Sequence, residues 1–276
     1  MTDRDRDLRL AVVIPTLNEE SSLGATLASL RAQGDDVARI VVADGGSRDG
    51  TVALADEHGA CVVVVPRQGR GCQIAAAVGH LDEEIIVVVH ADMTLPPGAL
   101  ASVRERLVSD PACPGGCLGH RFDSPRLIYR LIELWDRWRA RLGHSYGDQA
   151  QFFRRDLIAR EGGFPELSIM EDVELSRRLR RLGRPVYLDR PAVVSPRRFE
   201  RLGWWGTVRR NLRIRILYGL SGTRACRALY ENYYGNAGGR GETVADSPMP
   251  EEQPVTDSSV AKVINSVAGW GPWRAG

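Results

Sequence analysis

LAVVIPTLNEE (Leu10–Glu20) and RIVVADGGSRDGT (Arg39–Thr51) share one plan: a near-continuous β-branched run that ends in a cluster of Gly, Asn, Asp and Glu. A strand so uniformly apolar has to be covered on both faces, as in a parallel sheet flanked by helices. The runs Cys61–Pro66 and Ile85–His90 repeat the plan. Helical patterns lie between them. Leu23, Leu27 and Leu30 share one face, Thr51–His58 reads as a helix stopped by Gly59, and Gln73–His80 as a shorter Ala-rich helix. This alternation predicts an α/β fold with a single Rossmann-like, mostly parallel sheet and helices on both faces.

After Pro96 the alternation stops. Leu127, Ile128, Leu131, Ile132, Trp135 and Trp138 recur at helical spacing, with Arg130, Glu133, Arg137 and Arg141 opposite, which predicts an amphipathic helix beside a cleft. Arg201 to Tyr234 carries seven arginines against the single acid Glu231, with Trp204, Trp205, Leu212 and Ile216 interleaved. Such a segment either rests on anionic lipid or packs on the domain with its arginines wet. From Gly235 onward Gly, Pro, Ser and acids dominate without periodicity, the composition of a disordered tail. The expected organisation is an N-terminal extension (1–8), one catalytic-size domain (9–200), a basic helical segment (201–234) and the tail (235–276).

A hydrophobic content of 43% over 276 residues is enough for one full core. The 37 basic and 35 acidic residues nearly cancel, so no global field draws the chain to nucleic acid. The five cysteines are odd in number and show no paired C-x-x-C spacing, which points to a reduced, cytoplasmic setting. Thr2 to Asp7 alternates Asp and Arg where a leader peptide needs an apolar run, and no stretch is long enough to span a bilayer. The expected protein is soluble or held at the inner face of a membrane, with contact through 201–234.

Polar groups recur at the end of each apolar strand, the edge where open α/β sheets bind ligands. Pro15, Thr16, Asn18 and Glu19 follow the first, although Asn18 could equally cap the next helix. Asp44 ends the second, before Gly45 and Gly46, and is either an acceptor for a base or ribose or a turn former. Arg67-Gln68-Gly69-Arg70-Gly71 follows the third and offers arginines and backbone N–H groups to phosphate. His90-Ala91-Asp92 ends the fourth and brings a carboxylate of the kind a hard divalent cation takes together with phosphate oxygens. Met170-Glu171-Asp172-Val173-Glu174-Leu175 opens a helix whose acids either stabilise its N-terminus or supply a general base.

In series, VVIPTLNEE, VVADGGSRDGT, GRG, HAD and MEDVEL resemble, in order and spacing, the family 2 glycosyltransferases of GT-A fold, from about Arg9 to Arg201. Val89 to Asp92, Tyr146 to Gln149 and Leu167 to Leu175 are similar to segments of a bacterial subgroup named for arsenosugar biosynthesis or association with radical-SAM and selenodomain proteins. The resemblance implies a nucleotide-sugar donor held by Pro15, Thr16, Asn18, Glu19, Asp44, Gly45 and Ala91, with Asp44 on the base and Arg70 near the phosphates. It implies Asp92, with His90, as the Mn²⁺ or Mg²⁺ site, Asp172 as the catalytic base supported by Glu171, and Asp148 and Gln149 near the acceptor.

The sequence departs from the family at two places. His90 replaces the first aspartate of the D-x-D pair, which leaves the cation on Asp92 alone or shifts preference toward Mn²⁺. Arg197-Arg198-Phe199 stands near where processive members carry Q-x-x-R-W, so transfer of a single sugar is expected. The acceptor is a small molecule in the first reading. A polyprenyl phosphate docked through 201–234, or binding without catalysis, are the alternatives.

Overall fold

The computed structural model describes residues 8–65 and 69–196, with Ile214, Tyr218 and Cys226 as isolated positions. The expected segments 1–8 (apart from Leu8), 201–234 (apart from these three) and 235–276 lie outside the described residues, as do Arg67, Gln68 and Arg197–Phe199.

Along the first half run β1 (Leu10–Thr16), α1 (Glu20–Arg31), β2 (Arg39–Asp44), α2 (Thr51–Glu57), β3 (Cys61–Val64), α3 (Arg70–Gly79) and β4 (Ile85–Val88). Then follow β5 (Met93–Thr94), α4 (Ala99–Ser109), β6 (Gly115–Cys117), β7 (His120–Phe122), α5 (Leu127–Arg141), β8 (Gln151–Arg154), α6 (Arg155–Arg160), α7 (Glu171–Leu182), β9 (Val186–Tyr187) and β10 (Ala192–Val194). Seven strands form the main sheet in the order β3-β2-β1-β4-β8-β6-β9. The first four are mutually parallel, β8 is antiparallel to β4 and β6, and β9 is parallel to β6.

The expected α/β sheet is present, but it is not single. β5, β10 and β7 make a second, three-stranded sheet from runs too short to carry a period-2 signal in the sequence.

The pleat of β1 explains why its apolar run is unbroken. Leu10, Val12 and Ile14 pack on one side with Leu23, Leu27, Leu30, Leu100 and Val103, whereas Ala11 and Val13 face Ile74, Ala77, Leu175 and Leu179 on the other. Both layers are fully buried, so neither face of the strand tolerates a polar residue.

Two elements differ from their sequence reading. α3 begins at Arg70, not Gln73, because Gly69 and Gly71, poor helix formers by propensity, are held by packing instead. α5 is helical as expected, yet its apolar stripe faces outward: Leu127 is 81% exposed and Trp135 60%. The inner face holds Tyr129 and Ala140, together with Glu133, which accepts the Phe122 N–H at 2.8 Å. Polar ties to β7 therefore outweigh the apolar stripe in setting the helix rotation.

Candidate functional site

The carboxyl ends of β1 and β2 lie side by side, with Thr16 opposite Asp44 in the parallel register. Asp44 is 1% exposed and its carboxylate is fully engaged. One oxygen accepts the Thr16 and Ser47 hydroxyls, and the other accepts the Gly46 and Ser47 N–H groups at 2.8 Å each. The turn Gly45–Ser47 is thus wrapped around Asp44, so the turn-forming reading holds in this state.

Asn18 does not cap α1. The capping position is Glu19, and the Asn18 side-chain oxygen accepts the Arg48 N–H at 2.8 Å while its own N–H donates to Ser47. Asn18 therefore joins the β1 and β2 loops, at a φ of 54° that asparagine adopts more readily than most residues. Pro15 and Thr16 are buried, and the N–H of Glu19 donates to the Thr51 hydroxyl at 2.8 Å.

Sequence reading missed Gln73. Its side-chain amide, buried to 4%, donates to the Thr16 carbonyl at 2.6 Å and the Ala43 carbonyl at 3.2 Å, tying α3 to both strand ends. A Cβ on Gly45 would lie 2.6 Å from that amide nitrogen, which accounts for glycine at this position. The signal was a polar residue on the apolar face of a predicted helix.

The glycines beside Arg70 serve chain packing. A Cβ on Gly69 would meet the Ser168 Cα at 2.2 Å, and one on Gly71 the Leu167 and Pro165 carbonyls at 2.4 Å. The Gly71 N–H donates to Leu167 at 3.0 Å, so this donor is not turned to a phosphate. The close approach brings Arg70 to α7, where its Nε lies 2.9 Å from Glu171 Oε1. Glu171 is 1% exposed, its Oε2 finds no hydrogen-bond partner among the described residues, and burial raises its carboxyl from the ordinary 4.5 to about 7 against the opposing pull of Arg70.

Asp172, next in sequence, is half-buried and turns another way. Its carboxylate accepts the Gly147 N–H at 2.8 Å and its own following amide, that of Val173, at 2.7 Å. A Cβ on Gly147 would lie 2.9 Å from His90 Nε2 and 3.4 Å from Asp172 Oδ2. The strand end that carries His90 and exposed Asp92 thus meets the start of α7 across one glycine. Ala91 between them is buried and its carbonyl accepts the Thr26 hydroxyl at 2.7 Å, so it anchors the turn.

Behind Gly147 the two residues expected near the acceptor separate. Gln149 is 1% exposed and its side-chain oxygen accepts the Tyr146 N–H at 2.9 Å, closing its own turn; it supports the loop and does not line an open pocket. Asp148 sits among His120, Asp136, Arg139 and Asp172, and burial raises its pKa. Arg139 stacks over the Tyr146 ring at 3.3 Å and bonds Asp136 at 2.7 Å. Gln151, also missed, donates to the Asp172 carbonyl at 3.0 Å and to Ser145 at 2.8 Å.

Met170 at φ 68° and Ala150 at φ 46° are non-glycine residues in left-handed backbone, immediately before Glu171 and after Gln149. Strain of this kind persists only where surrounding structure fixes it, and it clusters at functional loops. Among the described residues no three His, Cys, Asp or Glu side chains converge as a closed metal cage. The donor set at hand, Asp92 with His90, suits a cation whose remaining ligands come from a bound phosphate. A groove of about 440 Å³ at the opposite edge of the sheet, among Leu30, Val37, Ile40 and Gly59, lacks carboxylates altogether.

Residues 11–159 match the sequence pattern described as Glycosyl transferase family 2. An uncharacterised glycosyltransferase of Mycobacterium tuberculosis is 42% identical over 91 residues, 33% of this chain and 40% of that protein. A dolichyl-phosphate hexose transferase of Haloferax volcanii is 39% identical over 87 residues, 32% and 38% of the two chains. The chain thus spans about two-fifths of the length of these relatives. In structure it is similar to a mannosyltransferase from Pyrobaculum calidifontis in complex with GDP-Man and Mn²⁺, with a TM-score of 0.53 at 24% identity over 67% of this chain and 56% of that one, a likeness of GT-A fold alone.

Proposed function

Because the chain belongs to glycosyl transferase family 2, we propose that it is an inverting enzyme that transfers one sugar from a nucleoside-diphosphate sugar to an acceptor hydroxyl. The observation that supports this reading is the approach of the β4 end and the start of α7 across Gly147, where an added Cβ would lie 2.9 Å from His90 Nε2 and 3.4 Å from Asp172 Oδ2.

Asp172 takes the acceptor proton as the hydroxyl attacks the anomeric carbon from the side opposite the departing diphosphate, so configuration inverts. The Gly147 and Val173 N–H groups orient its two oxygens. The nucleoside lies along Pro15, Thr16, Asn18 and Glu19, and its base reaches Asp44 by displacing the Ser47 hydroxyl. Arg70 turns from Glu171 toward the diphosphate as charge builds there. Asp92 and His90 would hold a divalent cation, Mn²⁺ or Mg²⁺, which would offset charge on the same group.

Within the family, Tyr146–Gln149 and Leu167–Leu175 support a place beside the arsenosugar and radical-SAM-associated subgroup, which names no substrate. A second reading, transfer to a polyprenyl phosphate, draws on the name of the Haloferax relative. A phosphate acceptor needs no base, so activity that requires lipid and survives Asp172→Asn selects this version.

The test is thermal unfolding of the full chain with UDP, GDP, CMP and dTDP, with and without Mn²⁺, since a ligand bound only by the folded state raises Tm. A Mn²⁺-dependent rise with one nucleotide, lost in Asp92→Ala, is the expected result. No rise with any of them overturns the reading.

A further inference from the structure

Helix α5 presents an unusual outer face. Leu127, Leu131, Leu134, Trp135, Trp138 and Leu142 form one stripe at helical spacing, and each is more than half exposed. The rings of Trp135 and Trp138 pack on each other at 5.2 Å, so the stripe is continuous. Soluble monomers rarely leave an apolar surface of this extent uncovered.

The charges on the same helix are sorted. Both carboxylates turn inward: Glu133 bonds the Phe122 N–H and Arg130, and Asp136 is held by Arg139. The outer face has no acid of its own and is flanked by exposed Arg126 and Arg141, with Arg130, paired to Glu133, at its edge. We infer that the outer face of α5 docks the protein on an anionic lipid bilayer, with the stripe in the acyl boundary and the arginines at the headgroups.

Charge decides against the other occupants. In a two-fold pair of copies the same patch meets itself, which sets the arginine rim against its own image. The chain's own segment from Arg201 to Tyr234 is as strongly basic, with seven arginines against Glu231. An anionic surface is complementary to the rim, and tryptophan favours the level where apolar and wet regions meet. Fifteen residues of helix are about 22 Å long, and no helix among the described residues is long and apolar enough to cross a membrane, so α5 lies in the plane of the surface.

This inference rests on the face of α5 and stands apart from the transferase chemistry. The experiment is co-sedimentation of the full chain with vesicles of phosphatidylcholine alone or mixed with phosphatidylglycerol. The expected result is binding to the anionic vesicles only, weakened by salt. The variant Leu131→Gln/Trp135→Gln/Trp138→Gln should lose roughly tenfold or more in partitioning while keeping the wild-type Tm.

Equal binding by that variant, or no binding by the wild type, overturns the inference. A wild-type dimer that the variant dissolves, without vesicle binding, assigns the face to a second copy instead. If the variant is destabilised, quenching of wild-type fluorescence by brominated lipid, compared with Trp135→Phe/Trp138→Phe, decides. A quenching deficit in that pair supports docking through α5, and equal quenching overturns it.

Discussion

Arg70 Nε lies 2.9 Å from Glu171 Oε1, joining the first residue of α3 to the first residue of α7 across a contact that only glycines at positions 69 and 71 permit. The pair is unequal: Arg70 keeps some exposure, while Glu171 is sealed from water. Its carboxyl consequently sits at about 7, against 4.5 when free. Between those two values the folded protein holds a proton that the unfolded chain has released. The stability that protonated Glu171 contributes is therefore lost as pH rises from 4.5 to 7. In Glu171→Gln this part of the pH dependence should vanish, and in Arg70→Met the loss should extend to higher pH. Tm measured from about pH 5 to about pH 8 checks both.

Asp172→Asn keeps the shape of the side chain and one of the two orienting hydrogen bonds, since its NH2 cannot accept the other N–H, and it removes the base. Turnover should fall about 10²- to 10⁴-fold with a hydroxyl acceptor, while the nucleotide-induced rise in Tm remains. Loss of the Tm rise along with activity would mean that Asp172 serves donor binding.

Gly147→Ala introduces a methyl group 2.9 Å from His90 Nε2 and 3.4 Å from Asp172 Oδ2. The backbone at position 147 is ordinary for any residue, so the fold should survive with Tm within a few degrees. Turnover should drop roughly tenfold or more, because a small displacement of a reacting group costs about that much. Unchanged kinetics would separate His90 from the reacting centre.

Gln73→Leu removes one buried hydrogen bond from the Thr16 carbonyl, which keeps the Gly45 N–H, and one from the Ala43 carbonyl. A typical intramolecular hydrogen bond contributes about 0.5–1.5 kcal/mol, so urea unfolding should show a loss of about 1–3 kcal/mol. Nucleotide binding should weaken as well, since the two strand ends lose their common tie.

Ser47→Ala frees one lone pair on Asp44, and Asp44→Asn turns one of its two acceptor oxygens into a donor, which would oppose the proposed hydrogen bond from a base. The first substitution should tighten or leave unchanged the affinity for the nucleotide, whereas the second should weaken it roughly tenfold or more, both read by calorimetry. Equal losses in the two would make Asp44 a turn former alone.

The four parallel strands and the helices between them were legible because each depends on local pattern: a strand buried on both faces, as β1 and β4 are, must be apolar throughout, whereas β3 carries the same kind of run at the sheet edge with Val64 56% exposed, a difference that only its place in the sheet decides. The positions of Asp44 and Asp92 at strand ends, and of Glu171 and Asp172 at the start of a helical pattern, were legible for the same reason. The different surroundings of Glu171 and Asp172 were not. They are adjacent in sequence, and only the approach of Arg70 on one side and Gly147 on the other sends one carboxyl into the interior and the other toward His90. The bonds of Gln73 to two strand ends, the closed turn around Gln149 and the outward rotation of α5 belong to the same class. Each is set by partners dozens of residues away or by competition between faces of one helix, and a periodicity read along the chain holds no information about which partner wins.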